Sequence, residues 1–189
     1  MGLDAQLKAA VLALLDKQAI YEAMCTYARG VDRGDWELVR ATYHPDAYDD
    51  HVDFRGGVDE LINWLDDRFR GVENSSHFLG NCHIAFAGPD KALVETYFVS
   101  SRLRPEDSDR QETPATGRAL CRQSWGRYVD VFERRGGEWR VSSRKVVIEQ
   151  RFTSPVRDAA HTPGDFWGLR SGGDRLYLEQ EKLGLRQKA

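Results

Sequence analysis

Four side chains in this sequence have the types and positions for acid–base chemistry: Tyr27, Asp32, His77 and Arg144. An imidazole that gives one ring N–H to a carboxylate is locked in one tautomer, and its imidazolium form is stabilised. Its second nitrogen is then a general base suited to near-neutral pH. His77 opens a strand-like segment, Ser75-Ser76-His77-Phe78-Leu79-Gly80-Asn81, and Asn81 lies four residues on, at the same strand parity. Asp32 follows a helical segment that Gly30 is expected to break. Tyr27 lies five residues before Asp32, so on a straight helix the two point about 140° apart, and their convergence requires the helix to loosen at Gly30. Each residue also has a plainer use. Asp32 could close the turn Val31-Asp32-Arg33-Gly34-Asp35, His77 could be a surface histidine, Tyr27 a core tyrosine, and Arg144 a cross-strand partner of Asp130 or Glu149.

The elements that must position these residues follow from periodicity. Leu3 to Arg29 is rich in Ala, Leu, Lys and Gln and reads as helix, with Asp16 a candidate cap for a second segment carrying Ile20, Met24, Tyr27 and Val31. Asp35 to Tyr43 reads as a short helix capped by Asp35, and Ala47 to Phe54 as a strand interrupted by acids. Gly57 to Arg70 carries the apolar stripe Val58, Leu61, Ile62, Leu65, Phe69 of an amphipathic helix. From there the period is two: 76–87, 92–103, 117–133 and 138–152 read as four long strands, with tight turns at Gly88-Pro89-Asp90 and Gly136-Gly137. Pro105 to Pro114 is a polar, turn-rich loop that could border a pocket entrance. Helices first and an antiparallel meander second make an α+β fold.

The hairpin Gly126 to Arg144 resembles the last hairpin of SnoaL-like domains, in the nuclear-transport-factor-2-like superfamily. The run from Asp16 to Glu37 is similar to the opening helix of the scytalone dehydratase, hexachlorocyclohexane dehydrochlorinase and bile-acid 7α-dehydratase members, and His77-Phe78-Leu79-Gly80-Asn81 to their His-x-x-x-Asn motif. The resemblance covers roughly residues 10 to 152. It implies a cone-shaped α+β barrel, with N-terminal helices packed into a strongly curved, mostly antiparallel sheet. It pairs His77 with Asp32 as a catalytic dyad, with Tyr27 or Arg144 stabilising a departing hydroxide, halide or oxyanion. The reaction implied is base-catalysed elimination on a hydrophobic cyclic or aromatic small molecule, either dehydration or retro-aldol loss of formaldehyde. That scheme calls for no metal and no organic cofactor. Tyr43, Tyr48, Asn81 and His83 are weaker candidates for contact with the substrate. The acid-rich run Asp46 to Asp53 departs from several relatives.

The bulk composition narrows the partners. A chain of 189 residues suits one domain, here 1–152 for the cone and 153–189 for a tail, with Phe166-Trp167, that packs on the domain or a neighbouring subunit. A net charge of −3 with dispersed Lys and Arg argues against nucleic acid. Cys25, Cys82 and Cys121 fit neither a disulfide framework nor a CxxC metal site, and no His spacing suits a metal. The apolar run Ala9 to Leu15 is too short for a membrane span and lacks the flanks of a signal peptide, so a cytoplasmic protein is expected. Open sheet faces in this family suggest a homotrimer or homodimer. Two alternatives of different kinds remain: a non-catalytic β-subunit of a ring-hydroxylating dioxygenase, and an isomerase of the ketosteroid type. A ligand-binding adaptor would show no turnover.

Overall fold

The computed structural model describes residues 2–104, 119–156 and 168–185. Helix α1 (Leu3–Arg33) is continuous. Asp16 does not cap a second segment. Its carboxylate instead accepts from Arg134 at 2.8 Å and from the Trp139 indole at 2.9 Å, which ties mid-helix to the far sheet. Nor does the helix break at Gly30, where a Cβ would come within 2.8 Å of the Val39 side chain. It ends at Gly34, whose φ of 67° is the left-handed conformation that favours glycine at a helix C-terminus.

Helix α2 (Trp36–Ala41) starts where the Asp35 carboxylate accepts from Leu38 N–H, and helix α3 (Val58–Phe69) buries the expected stripe. The strands are β1 (Tyr43–Asp50), β2 (Arg55–Gly57), β3 (Asn74–Phe86), β4 (Lys91–Arg104), β5 (Leu120–Arg135) and β6 (Glu138–Pro155), and a last helix, α4 (Arg175–Lys182), follows. They form one six-stranded, curved and unclosed sheet in the order β2-β1-β6-β5-β4-β3. All neighbours are antiparallel except β1 and β6. The α+β architecture matches the expectation.

The strand expected at 47–54 divides in two, because the chain turns at His51–Phe54. Asp53 N–H donates to His51 C=O at 2.7 Å around Val52, whose φ is 66°. A positive φ at a β-branched residue is an outlier of the kind that costs about 1–3 kcal/mol and must be held by its surroundings.

Ile20, Met24, Tyr27 and Val31 of α1 and the stripe of α3 share one core with Ala92, Val94, Phe98, Tyr128 and Phe132 from the concave sheet face. Bulges interrupt the ladder at Leu79/Cys82 and at Trp125/Gly126. A Cβ on Gly126 would collide with the Val147 carbonyl oxygen and the Phe98 ring, so the second bulge requires glycine.

The tail from Gly168 packs on the C-terminal end of α1. Arg170 donates to the Val31 and Asp32 carbonyls at 2.7 and 2.8 Å, and the Tyr177 hydroxyl donates to Asp35. The loop at 105–114 and the Phe166-Trp167 pair lie outside the described residues.

Candidate active site

The concave sheet face and the helices enclose a cavity. Tyr27 and Val31 of α1 form one wall, His51 and Val52 a second, Trp64 and Leu65 of α3 a third, and His77, Phe98 and Tyr128 line the sheet side.

His77 of that lining meets Asp32, which lies behind it. The imidazole Nδ1 lies 2.7 Å from Asp32 Oδ1 and donates to it. His77 backbone N–H donates to Oδ2 at 2.7 Å, and the Ser75 hydroxyl to Oδ1 at 2.9 Å. The two donors at 75 and 77 share one strand face, which is why a single β-strand can hold the carboxylate and present the ring together. Burial works to raise the Asp32 carboxyl, but its electrostatic attraction to His77 and these three hydrogen bonds outweigh it and hold the group below its ordinary range. Nδ1 being committed to the carboxylate, Nε2 is the nitrogen left for chemistry in the cavity. The helix did not need to loosen: Asp32 reaches His77 from the last turn of α1, while Tyr27 reaches the cavity from the preceding turns.

Arg144 is buried behind this wall. It forms two hydrogen bonds to Asp130, at 2.8 and 2.7 Å, and its guanidinium lies 4.0 Å from the centre of the Tyr27 ring and 4.4 Å from that of Tyr128. The ion pair with Asp130 is one of the two plain alternatives open from the sequence. Arg144 is absent from the cavity lining and reaches it only through Tyr27 and Tyr128. Burial opposes its charge, and the Asp130 carboxylate more than restores it. Burial raises the Tyr27 phenol more than Arg144 lowers it, so Tyr27 is a neutral donor across the physiological range.

The weaker candidates separate. Tyr43 is buried behind the wall, donating to Asp49 at 2.7 Å, and Tyr48 is half-exposed away from the cavity. Asn81 and His83 stand on the opposite face from His77, because the bulge between Leu79 and Cys82 inverts the alternation, turning Cys82 and Ile84 inward. Simple parity placed Asn81 and His83 beside His77; the bulge is the reason they are not.

The structure adds a second imidazole. His51 Nδ1 lies 2.9 Å from Asp49 Oδ1, and Asp49, 1% exposed, also accepts from Tyr43. Burial is again the largest influence on this carboxyl, and it is outweighed by His51, Arg144 and the Tyr43 hydroxyl, which hold it below its ordinary range. The acid-rich run carried the signal, since Asp49 and His51 share a strand parity. Two imidazoles, each backed by a carboxylate, can act as base and acid on one substrate. Among the described residues, no group of three or more His, Cys, Asp or Glu could hold a metal ion, and no helix is long and apolar enough to cross a membrane.

No curated protein sequence matches the chain. Solved structures do. A protein from Novosphingobium aromaticivorans, provisionally named a scytalone dehydratase, superimposes with a TM-score of 0.62 at 20% identity, over 80% of this chain and 94% of its own. The type-3 hexachlorocyclohexane dehydrochlorinase of Novosphingobium barchaimii gives 0.62 at 17%, over 80% and 97%. A protein provisionally named an aromatic ring hydroxylase, also from N. aromaticivorans, gives 0.61 at 21%, over 77% and 96%. At these identities the likeness establishes the fold. The model of the SnoaL-like domain matches residues 12–145, which run from the first third of helix α1 through β5 into the first half of β6. This chain therefore belongs to the SnoaL-like domain family.

Proposed function

We propose that the protein is a cofactor-independent lyase that performs base-catalysed elimination on a cyclic or aromatic small molecule. The observation that carries this reading is the His77 ring, which lines the cavity and is fixed through Nδ1 on a carboxylate that also accepts from His77 N–H and the Ser75 hydroxyl. In the elimination, the C–H proton passes to His77 Nε2 and the C–H electron pair forms the new double bond. The leaving group departs with its bonding pair and is met by a proton or hydrogen bond from Tyr27 or His51. In the retro-aldol variant, the same base takes a hydroxyl proton and the C–C pair moves into the ring system as formaldehyde leaves. Arg144 acts through Tyr27, as a charge behind the phenol, rather than by touching substrate.

The interior measures about 60 Å³ and is partly open. A cavity of about 150 Å³ takes benzene, so this one admits the reacting end of a substrate and leaves the remainder in the opening. A homotrimer or homodimer is part of the same proposal: Phe78, Tyr97 and Trp125 are exposed on the outer sheet face around one apolar depression.

The test is a turnover screen of the purified protein on hydroxylated aromatic and alicyclic compounds, with mass-spectrometric detection of water or formaldehyde loss. Loss of either, without added cofactor, is the expected result. Inertness together with a stoichiometric iron-containing partner in the purified material would replace this reading by the scaffold one, to which the ring-hydroxylase name of one similar structure lends support.

A further inference from the structure

At one end of the cavity the lining changes from apolar to cationic. Arg68 of α3, Arg102 of β4 and Arg151 of β6 line it together with Ser100 and Ser124. Arg122 of β5 is the direct cross-strand partner of Arg102, a like-charge pairing that a sheet ordinarily avoids. Arg102 is the telling member. It is 9% exposed, and among the described residues no carboxylate lies within ion-pair distance of it; its guanidinium packs 5.2 Å from the Phe69 ring centre. The fully buried Arg144 of the same protein has a bidentate carboxylate, which is the normal condition of a buried charge. Burial, then the charges of Arg68, Arg122, Arg104 and Arg151, push Arg102 down to about 9, still cationic at neutral pH. Arg68 is 3.6 Å from Asp53, and it, Arg104 and Arg122 make further contacts, so the case rests on Arg102 and on Arg151, which lines the cavity from the exposed end of β6.

We propose that this end of the cavity is an oxyanion subsite: the substrate carries a carboxylate or phosphate tail that Arg102 and Arg151 bind, directing its other end to His77. A guanidinium presents its N–H donors as a planar fork that matches either group, and the burial of Arg102 shields its half of the contact from solvent. The inference rests on the lyase reading for the substrate's fate but not for its binding, so binding is what is measured.

The experiment titrates benzoate, its neutral isostere benzamide and phenyl phosphate, following intrinsic tryptophan fluorescence and heat, on the wild type, Arg102→Gln, Arg151→Gln and His77→Gln. Wild type should bind benzoate at least about tenfold tighter than benzamide, with the preference shrinking as salt rises. Arg102→Gln and Arg151→Gln should each reduce it, and His77→Gln should keep it, so that failure of the lyase reading leaves the subsite standing. Tighter binding of phenyl phosphate than of benzoate assigns a phosphate tail, and the reverse order a carboxylate. Equal affinities for benzoate and benzamide, or a preference unchanged in both arginine variants, overturn the proposal. Should Arg102→Gln fail to fold, the exposed Arg151 variant carries the same test.

Discussion

Replacing Asp32 by Asn changes one atom's identity at the centre of the candidate site, and its effect can be sized from the geometry. The carboxylate accepts three hydrogen bonds, from His77 Nδ1, His77 N–H and the Ser75 hydroxyl. An amide retains one acceptor oxygen and turns an NH2 toward at least one of these donors. Loss of the charge from a hydrogen-bonded ionic pair costs about 2 kcal/mol. For a chain of this size that corresponds to a fall in Tm of about 4–8 °C. The chemical consequence is separate: an NH2 facing Nδ1 makes it an acceptor, which moves the ring proton to Nε2 and removes the lone pair the base needs. Thermal unfolding reads the first effect, and 15N chemical shifts of the His77 ring read the second. A variant whose melting temperature and His77 tautomer both match wild type would mean that the carboxylate does neither job.

Three further outcomes follow from the same structure. Arg144→Met strands the Asp130 carboxylate in the core and should cost about 3–5 kcal/mol, while adding Asp130→Leu should restore much of it; chemical denaturation of the single and double variants checks this. Val52→Gly removes the strain of a β-branched residue at φ 66° and should raise stability by about 1 kcal/mol once the flexibility of glycine is subtracted, visible as a higher Tm. Asp32 and Asp49 both have folded values below the ordinary carboxyl one. Their contribution is therefore complete above about pH 4 and is lost as pH falls through the folded values. Wild type should lose melting temperature steeply below that pH, and Asp32→Asn should lose less over the same interval.

Local pattern revealed those features whose cause is local. The Gly136-Gly137 turn, with φ of 61° and 89°, joins β5 to β6 where the two glycines stand. The α3 stripe is buried as its spacing requires. What escaped depends on distant partners. Asp16 looked like a helix cap because its true partners, Arg134 and Trp139, are more than a hundred residues away. The face of Asn81 and His83 depends on how β3 meets β4, and no run of alternation reports a bulge. His51 lay in view beside Asp49, but the turn at Val52 that brings it to the cavity breaks the local conformational rules. Arg68, Arg102 and Arg151 become neighbours only when α3, β4 and β6 are assembled.

The proposed lyase chemistry stands or falls with His77 as the base. Its most direct test compares single-turnover rates of wild type and His77→Gln on a compound that wild type converts, with both proteins shown to share one melting temperature. A base at this position requires a fall of at least about a hundredfold in the variant, with binding retained. A variant that converts the compound at the wild-type rate would contradict it.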